Sequence, residues 1–130
     1  MVMVIDTSAL IAILYQEPDA GRFALVIERA EKCVISAVTR VELTCVAEGS
    51  RTKAAREDLE LLLGAIGPEI IPVDLAQMAL AIEAFRTFGK GRHKAALNIG
   101  DCFSHALAKA RHDTLLFKGN DFAMTDIIAA

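Results

Sequence analysis

Along this chain, short apolar runs alternate with stretches whose apolar residues recur every three or four positions, the signatures of buried strands and one-sided helices. The run Met1 to Ile5 is rich in β-branched residues and reads as a strand covered on both faces. Asp6 follows, then Thr7-Ser8 and the helical run Ala9 to Tyr15. Glu17-Pro18-Asp19 interrupts the pattern, and Pro18 suits the start of a second helix with the stripe Phe23, Val26, Ile27 and Ala30. Cys33-Val34-Ile35 is a second strand. Ser36 then caps a helix through Val38, Val41, Glu42, Cys45 and Val46 to Gly49, a suitable residue just past a helix end. Ser50 opens the next helix. Its apolar stripe is Leu59, Leu62, Leu63 and Ile66, while Arg51, Lys53, Arg56, Glu57, Asp58 and Glu60 fall mostly on a solvated face.

Gly67-Pro68 ends that helix, and Ile70-Ile71-Pro72-Val73 predicts a strand that Pro72 confines to a sheet edge. Asp74 and Gln77 resemble a capping box, with Leu75, Met78, Ile82 and Phe85 as the core face of the helix that follows. A glycine-rich basic loop, Gly89-Lys90-Gly91-Arg92-His93-Lys94, leads to a last long helix starting around Asn98-Ile99-Gly100-Asp101 and carrying Phe103, Ala106, Leu107 and Ala110. Thr114 to Phe117 is the final clear strand, and Asp126-Ile127-Ile128 adds a short terminal one. Strands alternating with helices predict an α/β fold with a parallel sheet covered on both faces, in a single domain over residues 1–130.

Composition narrows the class. A chain of 130 residues that is 54% hydrophobic has the material for a real core, and the apolar excess points to surface covered by a partner or a second copy. No apolar stretch approaches the ~20 residues that span a bilayer, and the N-terminus lacks the pattern of a signal peptide. Cys33, Cys45 and Cys102 are odd in number, lack metal-ligand spacing and lie in apolar runs, so buried free thiols are expected. These features predict a cytoplasmic protein. The net charge of −3 argues against nucleic-acid binding by bulk positive charge, but leaves room for an acidic metal centre with a local basic rim.

The chemistry lies in the placement of four acids. Asp6 follows the first strand, Glu42 lies among apolar neighbours on a helix, Asp101 falls in a first helical turn, and Asp121 follows the last clear strand. Three of them have an ordinary role open to them. Asp6 or Thr7 suits a helix cap, Asp101 complements the helix dipole, and Asp121 fits a Gly-Asn turn. Glu42 resists that treatment, because a carboxylate among apolar residues needs a partner or an ion. If all four converge, their repulsion calls for a hard divalent cation such as Mg²⁺ or Mn²⁺, which can activate water and stabilise the leaving oxygen of a phosphodiester.

The sequence resembles the PIN-domain ribonucleases, and within them the VapC-type toxins of toxin–antitoxin pairs. The resemblance is carried by Val4-Ile5-Asp6-Thr7-Ser8-Ala9, Ser36 through Glu42, Gly89-Lys90-Gly91-Arg92-His93, Leu97-Asn98-Ile99-Gly100-Asp101-Cys102 and Leu116-Phe117-Lys118-Gly119-Asn120-Asp121-Phe122, in the family's order. It implies a three-layer α/β/α fold around a mainly parallel sheet of four or five strands. It implies an acidic quartet at Asp6, Glu42, Asp101 and Asp121, with Asp6 and Asp101 as the main metal positions, Thr7 beside the site and Asn98 holding its loop. It also implies RNA as substrate and an antitoxin whose apolar segment lies in a groove between helices. Lys94 departs from the family, where proline is frequent, and that bears on the shape of the loop.

Other residues leave alternatives open. Lys90, Arg92 and Lys94 form either a phosphate-guiding rim or a solvated loop, and Lys118 either neutralises the acids or touches phosphate. His105, one turn after Asp101, either hydrogen-bonds it or packs; His112 suits a helix C-terminus. The expected protein is a metal-dependent endoribonuclease, a toxin and a homodimer. The competing class is a non-catalytic PIN-like module that docks protein or RNA; such a module is expected to have lost an acid, and here none is missing. Two single-aspartate readings fail: an Asp-x-Asp phosphotransferase needs an acid at Ser8, and an Asp-x-Ser-x-Ser metal-adhesion site needs a serine at Leu10.

Overall fold

The first strand is the central one. In a computed structural model, which describes residues 1–50 and 52–130, β1 (Val2–Ile5) is flanked by β2 (Lys32–Ser36) on one side and β4 (Thr114–Leu116) on the other, with β3 (Glu69–Ile71) at the far edge beyond β2. The order β3-β2-β1-β4 is parallel throughout, with Met3 beside Cys33, Val4 beside Leu115, and Ile35 beside Ile70. Two crossovers progress one way from β1, and the third returns to its opposite side. This creates a topological switch between β1 and β4, where open α/β sheets place their ligand crevice.

Strand alternation divides the core into two layers. Met3, Ile5, Cys33, Ile35 and Leu116 face one way, against α1 (Thr7–Leu14), α2 (Ala20–Arg29), α3 (Ala37–Gly49) and α4 (Lys53–Ile66), through Leu10, Phe23, Leu43 and Leu59. Val4, Val34 and Leu115 face the other way, against α5 (Leu75–Phe88) and α6 (Ile99–Arg111), through Ala81, Ala84, Ala106 and Leu107. Both faces are thus covered, as near-continuous apolar strands require. Leu43 and Leu107 are fully buried, so truncating either to alanine costs about 2–5 kcal/mol.

Several elements depart from the periodic pattern. The second helix begins at Ala20 rather than Pro18. Gly49 is the last helical residue and Ser50 the cap; Thr52, not Ser50, opens α4 through its hydroxyl on the Ala55 amide. Arg51 lies outside the described residues. Gly67 ends α4 in the left-handed conformation, φ 61°. Asp74 caps α5, but Gln77 sends its side chain to the Pro72 carbonyl and leaves the box half made. The expected terminal strand reduces to a single bridge of Ala129 beside Leu115. Cys45 is exposed, whereas Cys33 and Cys102 are buried free thiols.

The largest correction concerns α5. Leu75, Met78, Ile82 and Phe85 do form a stripe, but they are 79%, 45%, 44% and 41% exposed. The helix buries Gln77, Ala81 and Ala84 instead. Small side chains on that face meet Cys102 and Ala106 of α6, and the bulky face is left outside. Among the described residues no helix is long and apolar enough to cross a membrane.

Candidate active site

Asp6 ends the central strand at the switch point. Its amide donates to the Leu116 carbonyl at 2.9 Å, tying the end of β1 to β4. Its carboxylate is 2% exposed. One oxygen, Oδ2, accepts from the Ser8 amide at 3.0 Å, so the capping role is real. The other, Oδ1, is buried and has no hydrogen-bond partner. An orphaned carboxylate oxygen is costly unless something positive meets it. Capping therefore accounts for half of Asp6.

Glu42 reaches the same place from α3. Ser36 starts that helix with its hydroxyl accepting from the Val38 amide, and further along the same helix Glu42 meets Thr7 at the start of α1. The Thr7 hydroxyl donates to Glu42 Oε1 at 2.7 Å. On its far side the carboxylate lies against Gly100 of α6: a Cβ there would stand 2.1 Å from Oε2. Burial pushes the Glu42 carboxyl above its ordinary range, against the Thr7 hydrogen bond, and the charge of Asp6 adds to the rise.

Asp101 is set by a complete capping box. Asn98 Oδ1 accepts from the Asp101 amide at 2.8 Å, and Asp101 Oδ2 accepts from the Asn98 amide at 3.0 Å. Its pKa is pushed up to about 6, first by burial, against the Asn98 backbone bond, and further by the charges of Asp6, Asp121 and Glu42. Asp101 therefore lies in the field of the other three acids. Asp121 comes last, exposed, at the start of a 3-10 turn (Phe122–Met124) after the Gly119 bend at φ 90°.

Among the described residues no lysine, arginine or histidine forms an ion pair with any of the four. Lys118 is spoken for: its Nζ pairs with Glu17 and its amide donates to Ser8 Oγ at 2.9 Å. Nor do three or more His, Cys, Asp or Glu side chains among those residues come together closely enough to hold a metal ion on their own. The orphaned Asp6 oxygen and the all-oxygen donor set fit a small hard cation that keeps several waters and takes one or two carboxylates, as Mg²⁺ does.

The remaining expectations divide. His105 turns away from Asp101: it is buried, with Nε2 on Asp126 Oδ1 at 2.8 Å, and burial lowers its pKa. His112 caps α6 in the left-handed conformation. Lys90, Arg92 and Lys94 are exposed on a loop closed by Lys90 N to Leu97 O at 3.0 Å and Leu97 N to Phe88 O at 3.0 Å, which delivers the chain to Asn98. The Arg92 guanidinium lies over the Phe85 ring, 5.5 Å from its centroid. Sequence reasoning missed Gly100, although a glycine in a first helical turn is itself a signal, because it weakens the helix. It also missed the buried hydroxyl contact of Thr39 with Ser104, 3.5 Å, which joins α3 to α6.

Comparison with known proteins gives this geometry its context. The PIN domain family matches residues 3–128. Ribonuclease VapC30 of Mycobacterium tuberculosis is 45% identical over 125 residues, covering 96% of this chain and 95% of that protein. In shape, the chain resembles VapBC2 from Rickettsia felis bound to a DNA fragment from its promoter, with a TM-score of 0.78 at 17% identity, over 100% of this chain and 98% of that one. It also resembles a toxin–antitoxin complex from Klebsiella pneumoniae, with a TM-score of 0.73 at 18% identity, over 98% of this chain and 96% of the other.

Proposed function

This chain belongs to the PIN-domain family, among the VapC ribonucleases, and from that premise we propose that it is a metal-dependent endoribonuclease acting as the toxin of a toxin–antitoxin pair. The reading is supported by Asp101, which feels the charges of Asp6, Glu42 and Asp121, and by the lack of an ion pair from any lysine, arginine or histidine among the described residues to these four acids. A competing role as a non-catalytic docking module has no lost acid to support it. The protein works as a single domain over residues 1–130, in the cytoplasm.

Asp6 and Asp101, each with one carboxylate oxygen not used by its helix cap, would hold Mg²⁺ or Mn²⁺. A bound cation of this kind supplies a water of lowered pKa and a positive charge opposite the leaving oxygen of the phosphodiester. Glu42, held by Thr7, fixes the inner wall of the site and orients water through its second oxygen. Asp121, exposed on its turn, reaches the site from the solvent side. Lys90, Arg92 and Lys94 meet the RNA backbone beside this acidic centre, where local charge steers a polyanion despite the net charge of −3.

Two partners follow. The bare apolar face of α5, continued by Ile99 at 77% exposure, suits a second copy of the chain, giving a homodimer. A separate groove between α2 and α4, lined by Ile27, Leu62, Ala65 and Ile66 and also by the charged Glu28, Glu31 and Lys32, takes an amphipathic segment of the antitoxin. Purified protein freed of partner is expected to cut RNA with Mg²⁺ or Mn²⁺ present and to stop when EDTA is added. Cleavage that persists in excess chelator would overturn the metal mechanism.

A further inference from the structure

We propose that Gly100 is a positioning residue for Glu42: the space its missing side chain leaves is the seat of the Glu42 carboxylate. The inference rests on the reading of Glu42 as part of the nuclease site. A Cβ on Gly100 would stand 2.1 Å from Glu42 Oε2, 2.5 Å from Cδ and 2.6 Å from Oε1. The same carboxylate accepts the Thr7 hydroxyl on Oε1 at 2.7 Å. Glu42 is thus clamped between the first turn of α1 and the first turn of α6.

A second contact sets the distance between the two helices. Thr39, one turn before Glu42 on α3, meets Ser104, one turn after Gly100 on α6, at 3.5 Å between hydroxyl oxygens, and both are buried. Gly100 and Ser104 are small residues four apart on one face of α6, so α3 comes close enough to lay Glu42 across the helix. Gly100 adjoins Asp101, so one turn of α6 both carries one acid and receives another.

The nature of the contact separates a site role from a folding role. The atoms in the way of a methyl group are the far end of a flexible side chain, so Glu42 can swing aside and leave α6 undisturbed. Alanine is also the better helix former. Gly100→Ala is therefore expected to keep or raise the melting temperature of the metal-free protein while displacing Glu42 from Thr7.

The test compares wild type, Gly100→Ala, Glu42→Asp and the double variant. A crystal structure of metal-free Gly100→Ala should show the Glu42 carboxylate away from Thr7. Its Mn²⁺-induced rise in melting temperature should shrink. Its RNA cleavage should fall about a hundredfold, the loss that a displacement near 1 Å brings. Glu42→Asp draws the carboxylate back by one methylene and makes room for the new methyl, so the double variant should cleave faster than Gly100→Ala. Gly100→Ala with Glu42 still on Thr7 and an intact Mn²⁺ response would overturn the proposal. So would a variant that unfolds and is not rescued by the shorter acid. If wild type itself cuts no RNA, the nuclease reading fails, while the position of Glu42 in the variant still decides the role of Gly100.

Discussion

His105 and Asp126 are joined by a 2.8 Å hydrogen bond that binds the C-terminal segment to the helix of Asp101. Asp126 is a fork: Oδ1 meets His105 Nε2 and Oδ2 meets Lys109 Nζ at 2.7 Å, one turn further along α6. The segment so anchored also carries Asp121, whose own side chain makes no cap bond. Buried Phe122 and the Asp126 fork therefore hold Asp121 in register with Asp101.

Asp126→Ala should lower stability by about 1–3 kcal/mol, because it strands a buried imidazole whose Nδ1 already lacks a partner. Chemical denaturation measures the loss. Lys109→Ala removes only the exposed arm of the fork and should cost less than ~1 kcal/mol. Equal losses from the two would show that the buried arm has no special weight.

Acidification should act on the metal-free protein in opposite directions at once. Asp101 titrates at about 6 against an ordinary 3.8, so between those values the folded state binds more protons than the unfolded chain, and its contribution to stability grows as pH falls. Glu42, also raised by burial, has the same sign. His105 has the opposite sign: burial holds its pKa below 6.5, so stability is lost as pH drops from 6.5 toward the folded value. Asp101→Asn deletes the first contribution and should make stability fall more steeply between pH 7 and 5 than in wild type. A divalent ion must also displace the Asp101 proton, so affinity for Mn²⁺ should weaken below pH 6.

The exposed stripe of α5 supplies a third test. Met78→Glu or Ile82→Glu would be ruinous if the stripe were core. At 45% and 44% exposure, each should instead change the stability of the dilute monomer by only about 0.5 kcal/mol. In light scattering at micromolar concentration, wild type should be a dimer and both variants monomers. Wild type that stays monomeric would remove the second copy from this face.

These residues also show where sequence is informative. Asp6, Asp101 and Asp121 were legible because each stands at an element boundary that local chemistry marks: a strand end, a first helical turn, a Gly-Asn turn. Glu42 was legible as an acid with no apolar excuse. Periodicity found the α5 stripe but not its direction, since an apolar face left exposed has the same spacing as one turned toward the core. The partner of His105 was hidden because it lies in an irregular segment that only tertiary packing brings back to α6. The role of Gly100 was missed because the Glu42 carboxylate it receives comes from another helix.

Asp6→Asn separates cap from ligand. Asparagine caps helices about as well as aspartate, so its oxygen can keep the Ser8 amide bond of 3.0 Å. Its amide then replaces the orphaned Oδ1, a buried acceptor without a donor, by a donor among neighbouring acids. Repulsion with Glu42 and Asp101 is relieved, since the charge of Asp6 raises both of their pKa values. The metal-free variant should therefore melt at or above the wild-type temperature. Added Mg²⁺ or Mn²⁺ should raise the wild-type melting temperature and barely move the variant's, because stabilisation by mass action requires binding. RNA cleavage should fall by orders of magnitude. Calorimetry with and without the ion, beside a cleavage assay, reads all three. A variant that cuts at the wild-type rate with its metal-induced shift intact would return Asp6 to the role of a helix cap.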